Sequence, residues 1–316
     1  AGATESINLA IGGFGGHKIT DAAEHASVRR AIQAGEHTIL SVDRHGIITA
    51  AQIADSIRDD TEVVSVALAN HEIGSLQPIR EITKVIEQRR RERRARGDKR
   101  PLVLHCDASQ GFGLVDIHVG RLGVDLLTLN AGKIYGPKQV GLLWVRPGVI
   151  VAPRIVGGGQ ESGLRSGTEN VAGVIGFAEA AYIASEKRTH ESKRLSILRD
   201  SLERALIQRL PNAVVSGHPR HRLVNFCHIS FPGIDAERLV FLLEMDNVLV
   251  ATGSACAANS GTRSSVLEAI GLDNRTADGS LRLTLGRGTT AEMVEYAAKK
   301  IIAAVEKEAS RQGTTL

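Results

Sequence analysis

Aromatic side chains are scarce in this chain: one Trp, three Tyr and six Phe among 316 residues. So thin a supply argues against a nucleic-acid surface built on base stacking, which needs aromatic platforms. Cysteine is scarcer still, with Cys106, Cys227 and Cys256 widely spaced and odd in number. Three such residues make no disulfide framework and suit a reducing compartment. No CxxC pair and no His/Cys cluster with zinc spacing occurs, so no metal is expected. No apolar run approaches the ~20 residues that a membrane span needs, and no charged-then-apolar leader opens the sequence. The expectation is a cytoplasmic protein without membrane contact.

What is present is ordinary globular material, 42% hydrophobic and 23% charged. Its length suits one large or two medium domains with a deep cleft. The net charge of +4 is concentrated in one run, Gln88 to Arg100, which follows the amphipathic stretch Ile79 to Ile86. Cations there complement the carboxyl end of a helix, and a solvated helix end is the ordinary reading. Contact with a phosphate backbone, including tRNA, is the alternative. The sequence opens at Ala1-Gly2-Ala3-Thr4-Glu5 without an initiator Met, inside what reads as a motif. A fragment lacking its amino-terminal segment is therefore expected.

The first half alternates apolar runs with amphipathic ones. Strands are expected at Thr38–Val42, Glu62–Leu68, Pro101–His105, Leu126–Leu129 and Gly141–Val145, and helices at Ala22–Gln33, Ala50–Arg58, Ile79–Arg96 and Ile117–Leu122. Alternation of this kind predicts an α/β fold, a mostly parallel sheet between helices. A long helix, Val171 to Leu210, leads to a smaller carboxyl-terminal α/β domain, giving domains of 1–190 and 191–316. In the second domain strands are expected at Arg222–Phe231, Val248–Ala251 and Leu281–Leu285, with helices at Ala236–Leu243, Ser265–Ile270 and Ala291–Ala309.

In parallel sheets ligands sit outside the carboxyl ends of the strands. Unusual polar groups fall there: Asn70, Asp107 with Gln110, and Asn130 to Lys133. A lysine in a small-residue turn after a buried strand can be desolvated into a nucleophilic amine. Lys133 occupies such a turn, although most lysines are simply solvated; Lys138 competes for the role. Paired with Lys133, Asp107 reads as the partner of a pyridine nitrogen, and the simplest occupant of the pair is pyridoxal 5'-phosphate. Taken alone, Asp107 is equally a turn former. Gly2 to Ser6 reads as an anion site at a helix start that includes the Thr4 hydroxyl, or as a plain cap. Cys256 lies among Gly, Ser and Ala and reads as an accessible nucleophile, whereas Cys106 and Cys227 read as inert core thiols. Arg282 offers a fork for a substrate carboxylate or for a surface ion pair.

With Lys133, Asp107 and Cys256 in view, the chain resembles the cysteine desulfurases, pyridoxal-phosphate enzymes of the class V aminotransferase group. The resemblance covers essentially the whole sequence and rests on EHASV (24–28), NHEIG (70–74), DASQGFG (107–113), GKIYGPK (132–138), GGGQESGLRSGTEN (157–170) and TGSAC (252–256). It implies a fold-type I transferase that converts L-cysteine to L-alanine and passes the sulfur on as an enzyme persulfide, for iron–sulfur cluster assembly or tRNA thiolation. By that resemblance Lys133 carries the cofactor and moves the substrate's α-proton, and His25 stacks on the ring and carries protons. Asp107 and Gln110 hold the pyridine nitrogen and ring oxygen. Thr4 binds the phosphate, and Thr168 reaches the phosphate of a second subunit in a homodimer. Asn70 and Arg282 hold the substrate carboxylate, and Cys256 takes the sulfur. Iron–sulfur scaffold or sulfur-acceptor proteins are the implied partners; direct nucleic-acid contact is not.

The sequence departs from the family pattern where Ser-x-His commonly precedes the lysine. Here the residues are Asn130-Ala131-Gly132, so two phosphate ligands are missing and Asn130 is the remaining hydrogen-bonding group. Losing one or two charge-assisted contacts costs about 2–3 kcal/mol of affinity each at most. Asn70-His71 replaces a commoner Asn-Asn, and Ile7 a usual polar residue. Two alternatives stay open: a desulfurase-like binding partner deficient in pyridoxal phosphate, and a selenocysteine lyase.

Overall fold

The computed structural model describes residues 1–252 and 263–313. It divides into two compact units: 1–42, 47–70 and 76–188 form the first, and 43–46, 71–75 and 189–316 the second.

The first unit is built on a six-stranded sheet of order β2-β1-β3-β4-β5-β6. Its strands are β1 (His17–Asp21), β2 (His37–Leu40), β3 (Thr61–Ala67), β4 (Val103–Asp107), β5 (Leu126–Asn130) and β6 (Gly141–Val145). All neighbours run parallel except the edge pair β5–β6, which is antiparallel. Helices α1 (Ala3–Gly12), α2 (Ala26–Gln33), α3 (Ala50–Ser56), α4 (Ile79–Ala95) and α5 (Val119–Leu122) connect them. The mostly parallel sheet read from the alternation is present, with termini shifted by a few residues.

β1 escapes a hydrophobicity reading because His17-Lys-Ile-Thr-Asp21 is polar, yet all five residues are buried. Its polar groups are answered sideways. His17 bridges Thr61 Oγ1 at 2.8 Å and Thr38 Oγ1 at 2.9 Å, on the two flanking strands. His105 repeats the device on β4, between Ser65 Oγ at 2.8 Å and Thr128 Oγ1 at 2.9 Å. Buried polar groups persist only when paired, so these contacts are what allow histidine inside the sheet.

One face of the sheet is covered by α3, α4 and their neighbours through Ile53, Ile79, Ile82 and Ile86, packed on Val64, Val66 and Leu104. On the other face Leu9 and Ala10 of α1 meet Val63, Val103 and Leu126. Ile7 and Ile11 turn the opposite side of α1 toward Val28 and Ile32 of α2. The basic run serves the fold. Arg90 binds the buried Asp125 and the Leu102 carbonyl, while Arg93, 3% exposed, donates to the carbonyls of Pro101, Arg58 and Thr61.

Helix α6 (Val171–Arg209) contributes residues to both units. The second unit contains an antiparallel sheet of order β7-β8-β10-β9: β7 (Val214–Ser216), β8 (Phe226–Ser230), β9 (Ala251–Thr252) and β10 (Ser280–Thr284). α7 (Ala236–Met245) packs on the carboxyl-terminal helix Ala291–Gln312. Cys106 and Cys227 are buried, as core thiols should be. Among the described residues no helix is long and apolar enough to cross a membrane, and no group of His, Cys, Asp and Glu could hold a metal.

Candidate active site

The order of the six strands fixes where a ligand belongs. From β1 the chain steps outward to β2, then returns to place β3 on the other side of β1. That reversal makes the carboxyl ends of β1 and β3 a topological switch point, the usual ligand position in such sheets. The polar residues singled out in the sequence collect at these ends. β1 finishes on Asp21, followed by Glu24 and His25; β3 is followed by Asn70; β4 finishes on Asp107; β5 finishes on Asn130 and runs straight into a 3-10 turn, Ala131–Lys133.

Each side chain is held by a local bond. His25 caps α2, its Nδ1 accepting the Ser27 N–H at 3.1 Å, which fixes the ring at a helix start. Asn70 is buried and donates from Nδ2 to the Ala23 carbonyl at 2.8 Å, tying the β3 end to the turn that carries His25. Asp107 Oδ1 accepts the Ser109 N–H at 3.0 Å. Gln110 is half-buried in the turn beyond it, and the Ser109 hydroxyl is buried without a partner among the described residues. Asn130 Oδ1 accepts the Gly132 N–H at 2.9 Å and so shapes the turn that presents Lys133, which is exposed.

α1 begins beside this group. Gly2 is its N-cap in a left-handed conformation, φ 91°, and supplies no side-chain cap. The N–H groups of the first turn therefore have no acceptor from the helix itself or from a cap. A Cβ at Gly141 on β6 would collide with the Gly2 backbone, so glycine there lets the helix start lie against the sheet. Thr4 is exposed in that first turn. Glu5 is bound by Arg165 at 2.7 Å, and this contact holds its carboxyl down at about 2. Thr168, three residues beyond Arg165, is exposed.

The electrostatics behind these groups are unusual. Burial pushes Asp21 up to about 7, and burial with the Asp21 charge pushes Glu24 well above the carboxylate range. The thiol of Cys106 is raised by burial and by the charges of Asp107 and Glu24, which makes it inert. Glu24 lies inside the EHASV motif, but the sequence offered it no role; its signal is a carboxylate next to a functional histidine, at a position the pattern buries.

Arg282 belongs to the second unit. It lies on β10 directly opposite His228 on β8 and donates to the His71 carbonyl at 3.2 Å. His228 is fully buried, neither ring nitrogen has a partner among the described residues, and burial lowers it to about 4. Cys256 lies outside the described residues.

The donor set suits pyridoxal phosphate on this structure's own terms. A carboxylate oxygen at a strand end, a lysine on a tight turn, an uncapped helix start and the unpartnered Ser109 hydroxyl are the groups such a cofactor needs. The phosphate end is thinner, since Gly132 brings no side chain and Asn130 has spent its oxygen on the turn.

The chain is similar to known proteins over most of its length. Residues 1–296 match the family described as aminotransferase class-V. A cysteine desulfurase IscS 1 of Archaeoglobus fulgidus is 39% identical over 97% of this chain and 80% of its own length. A cysteine desulfurase IscS of Clostridium botulinum is 39% identical over 94% of this chain and 75% of its own. A solved NifS-like protein superposes with a TM-score of 0.86 at 31% identity, covering 97% of this chain and 81% of its own.

Proposed function

The chain belongs to the class-V aminotransferase family, and from that premise we propose that it is a cysteine desulfurase dependent on pyridoxal 5'-phosphate. It converts L-cysteine to L-alanine and hands on the sulfur for iron–sulfur cluster assembly, with tRNA thiolation as a second outlet. The observation that carries this reading is the 39% identity to a cysteine desulfurase over 97% of the chain. The meeting of His25, Asp107 and Lys133 at one end of one sheet supports it.

When bound, the cofactor supplies an electron sink for the substrate's α-carbon. The Asp107 carboxylate would hold the proton on the pyridine nitrogen, Gln110 would hydrogen-bond the ring oxygen, and His25 would lie against the ring. Thr4 and the first N–H groups of α1 would hold the phosphate, joined by the Asn130 amide. The Lys133 amine would anchor the cofactor and take the substrate's α-proton. Asn70 and Arg282 hold the substrate carboxylate. The Cys256 thiolate attacks the substrate sulfur: an S–S bond forms, the C–S bond breaks with its electron pair moving toward carbon, and a proton delivered there completes alanine.

A homodimer follows from Thr168, assigned to the neighbouring subunit's phosphate. It is supported by an apolar stripe on α6, where Val171, Ile175 and Tyr182 are 62%, 64% and 64% exposed. Stripes of this kind mark protein interfaces. The sulfur acceptors are iron–sulfur scaffold or other acceptor proteins, and the working compartment is the cytoplasm.

Gly132 favours a second reading, a desulfurase-like binding partner that does not retain the cofactor. The visible absorption of the protein mixed with pyridoxal phosphate, before and after L-cysteine, separates the two. A cofactor band that shifts with L-cysteine is expected; no band at all would give the second reading the lead.

A further inference from the structure

Three carboxyl groups crowd the carboxyl ends of β1, β3 and β4. Asp21 is 2% exposed and Glu24 3% exposed, so both are sealed from solvent. Glu24 Oε1 accepts the N–H of Ala67, the last residue of β3. Ala67 is in register with Asp107, the last residue of β4. The second oxygen of Glu24, Oε2, is buried and has no hydrogen-bond partner among the described residues.

The charges around Glu24 do not offset one another. Asp21 and Asp107 both act on it, and each is negative whenever it is ionised. Among the described residues no Lys, Arg or His is ion-paired with it; the nearby cation, Arg29, acts on Asp21. Cys106, beside Asp107, adds a thiol that feels Glu24 and Asp107 alike. A buried carboxylate with an unpaired oxygen and two like charges cannot remain ionised at reasonable cost, and such a group takes up a proton instead. The same geometry gives that proton a use, because Glu24 is covalently next to His25 and hydrogen-bonded to the strand end that pairs with Asp107.

We propose that Glu24 is a proton-bearing positioning residue behind the cofactor site. Its neutral carboxyl group clamps the His25 turn to the end of β3 and, by carrying no charge, leaves Asp107 as the anion that meets the pyridine nitrogen. The inference rests on the roles given above to Asp107 and His25. It concerns a group that touches neither cofactor nor substrate and acts through both of those residues. A charged Glu24 would add a second negative charge behind Asp107, and a missing one would leave Asn70 as the remaining tie between the His25 turn and the end of β3.

Two substitutions and three measurements test it. Glu24→Gln keeps an oxygen for the Ala67 N–H but has no proton to lose; Glu24→Ala removes the clamp. Infrared difference spectra of the cofactor-free protein at pH 7 should show a protonated-carboxyl band that Glu24→Gln abolishes. Titration with pyridoxal phosphate should show Glu24→Ala binding about tenfold or more weakly, with Glu24→Gln restoring most of the loss. The alkaline decline in melting temperature that follows deprotonation of Glu24 should be smaller in Glu24→Gln. A wild-type protein without that band, or a Glu24→Gln variant as weak as Glu24→Ala, would show that the charge itself is used and would overturn the proposal. So would a folded Glu24→Ala that binds like wild type. If no form binds the cofactor, the functional reading fails, while the infrared measurement still decides the protonation of Glu24.

Discussion

Gly132 is the position where one substitution reports most directly on the phosphate end of the site. Its φ lies outside the left-handed region, so a side chain is conformationally allowed. A Cβ there would meet Asn130 Oδ1 at 3.3 Å, a contact that requires the amide to yield by a few tenths of an ångström. That adjustment costs about 1 kcal/mol, the scale of a modestly displaced rotamer. An imidazole donating to a phosphate returns about 1.5–3 kcal/mol, because the acceptor is charged. The net gain is about 0.5–2 kcal/mol, or about 2–30-fold in affinity. Gly132→His should therefore tighten pyridoxal-phosphate binding by that factor, measured by titrating cofactor-free protein and following the absorbance of the bound form. The turn itself should survive, since the Gly132 N–H still reaches Asn130. An unchanged or weaker dissociation constant, with the melting temperature preserved, would refute the idea that this turn faces the phosphate.

Five other outcomes are expected. Cys256→Ala should reduce sulfide release from L-cysteine to background while the cofactor band remains; retained turnover would end the persulfide mechanism. Asp107→Ala should weaken cofactor binding by about 10–100-fold, the value of one charge-assisted hydrogen bond, by the same titration. Ile175→Asp, on the exposed stripe of α6, should give a monomer in sedimentation velocity and lower cofactor affinity with it; a wild type that sediments as a monomer would remove the premise. The fold should lose stability toward acid. His105 is held at about 3 and His228 at about 4 by burial, so both are neutral in the folded chain. Below about 6.5 only the unfolded chain binds those protons, so the contribution present above that pH is lost as pH falls toward 4. Asp21, raised to about 7, has the opposite sign: its contribution is present below about 4 and lost as pH rises through 7. Asp21→Asn should therefore raise the melting temperature at pH 8–9 and change it little at pH 4.

Much of the fold was legible because periodicity reports burial. The continuous apolar run Gly141–Val145 coincides with β6, and the helical period starting at Ile79 gives α4 to within a residue. β1 was not legible. His17, Lys18 and Asp21 look like surface residues until neighbouring strands provide Thr38 and Thr61 for the histidine. The same absence moves the predicted start of α2 from Ala26 back to Ala22, because the turn before it is held by Asn70, far along the chain. β7, only Val214–Ser216, is too short for its pattern to stand out.

The sequence alone determined the chemistry available: a lysine in a small-residue turn, an aspartate and a histidine in motifs specific to one family, and a cysteine among small residues. Local chemistry of this kind is written in short windows and needs no fold to be read. Tertiary structure alone decided which side chains share an environment. Strand order brought Asp21, Glu24 and Asp107 to the carboxyl ends of neighbouring strands, where burial took Asp21 and Glu24 out of the water that would have kept them ionised. Register likewise placed His228 opposite Arg282, a pairing 54 residues apart that no local pattern encodes. Solvation and proximity are properties of the packed chain, and they turn a list of reactive residues into an arrangement with assigned charges.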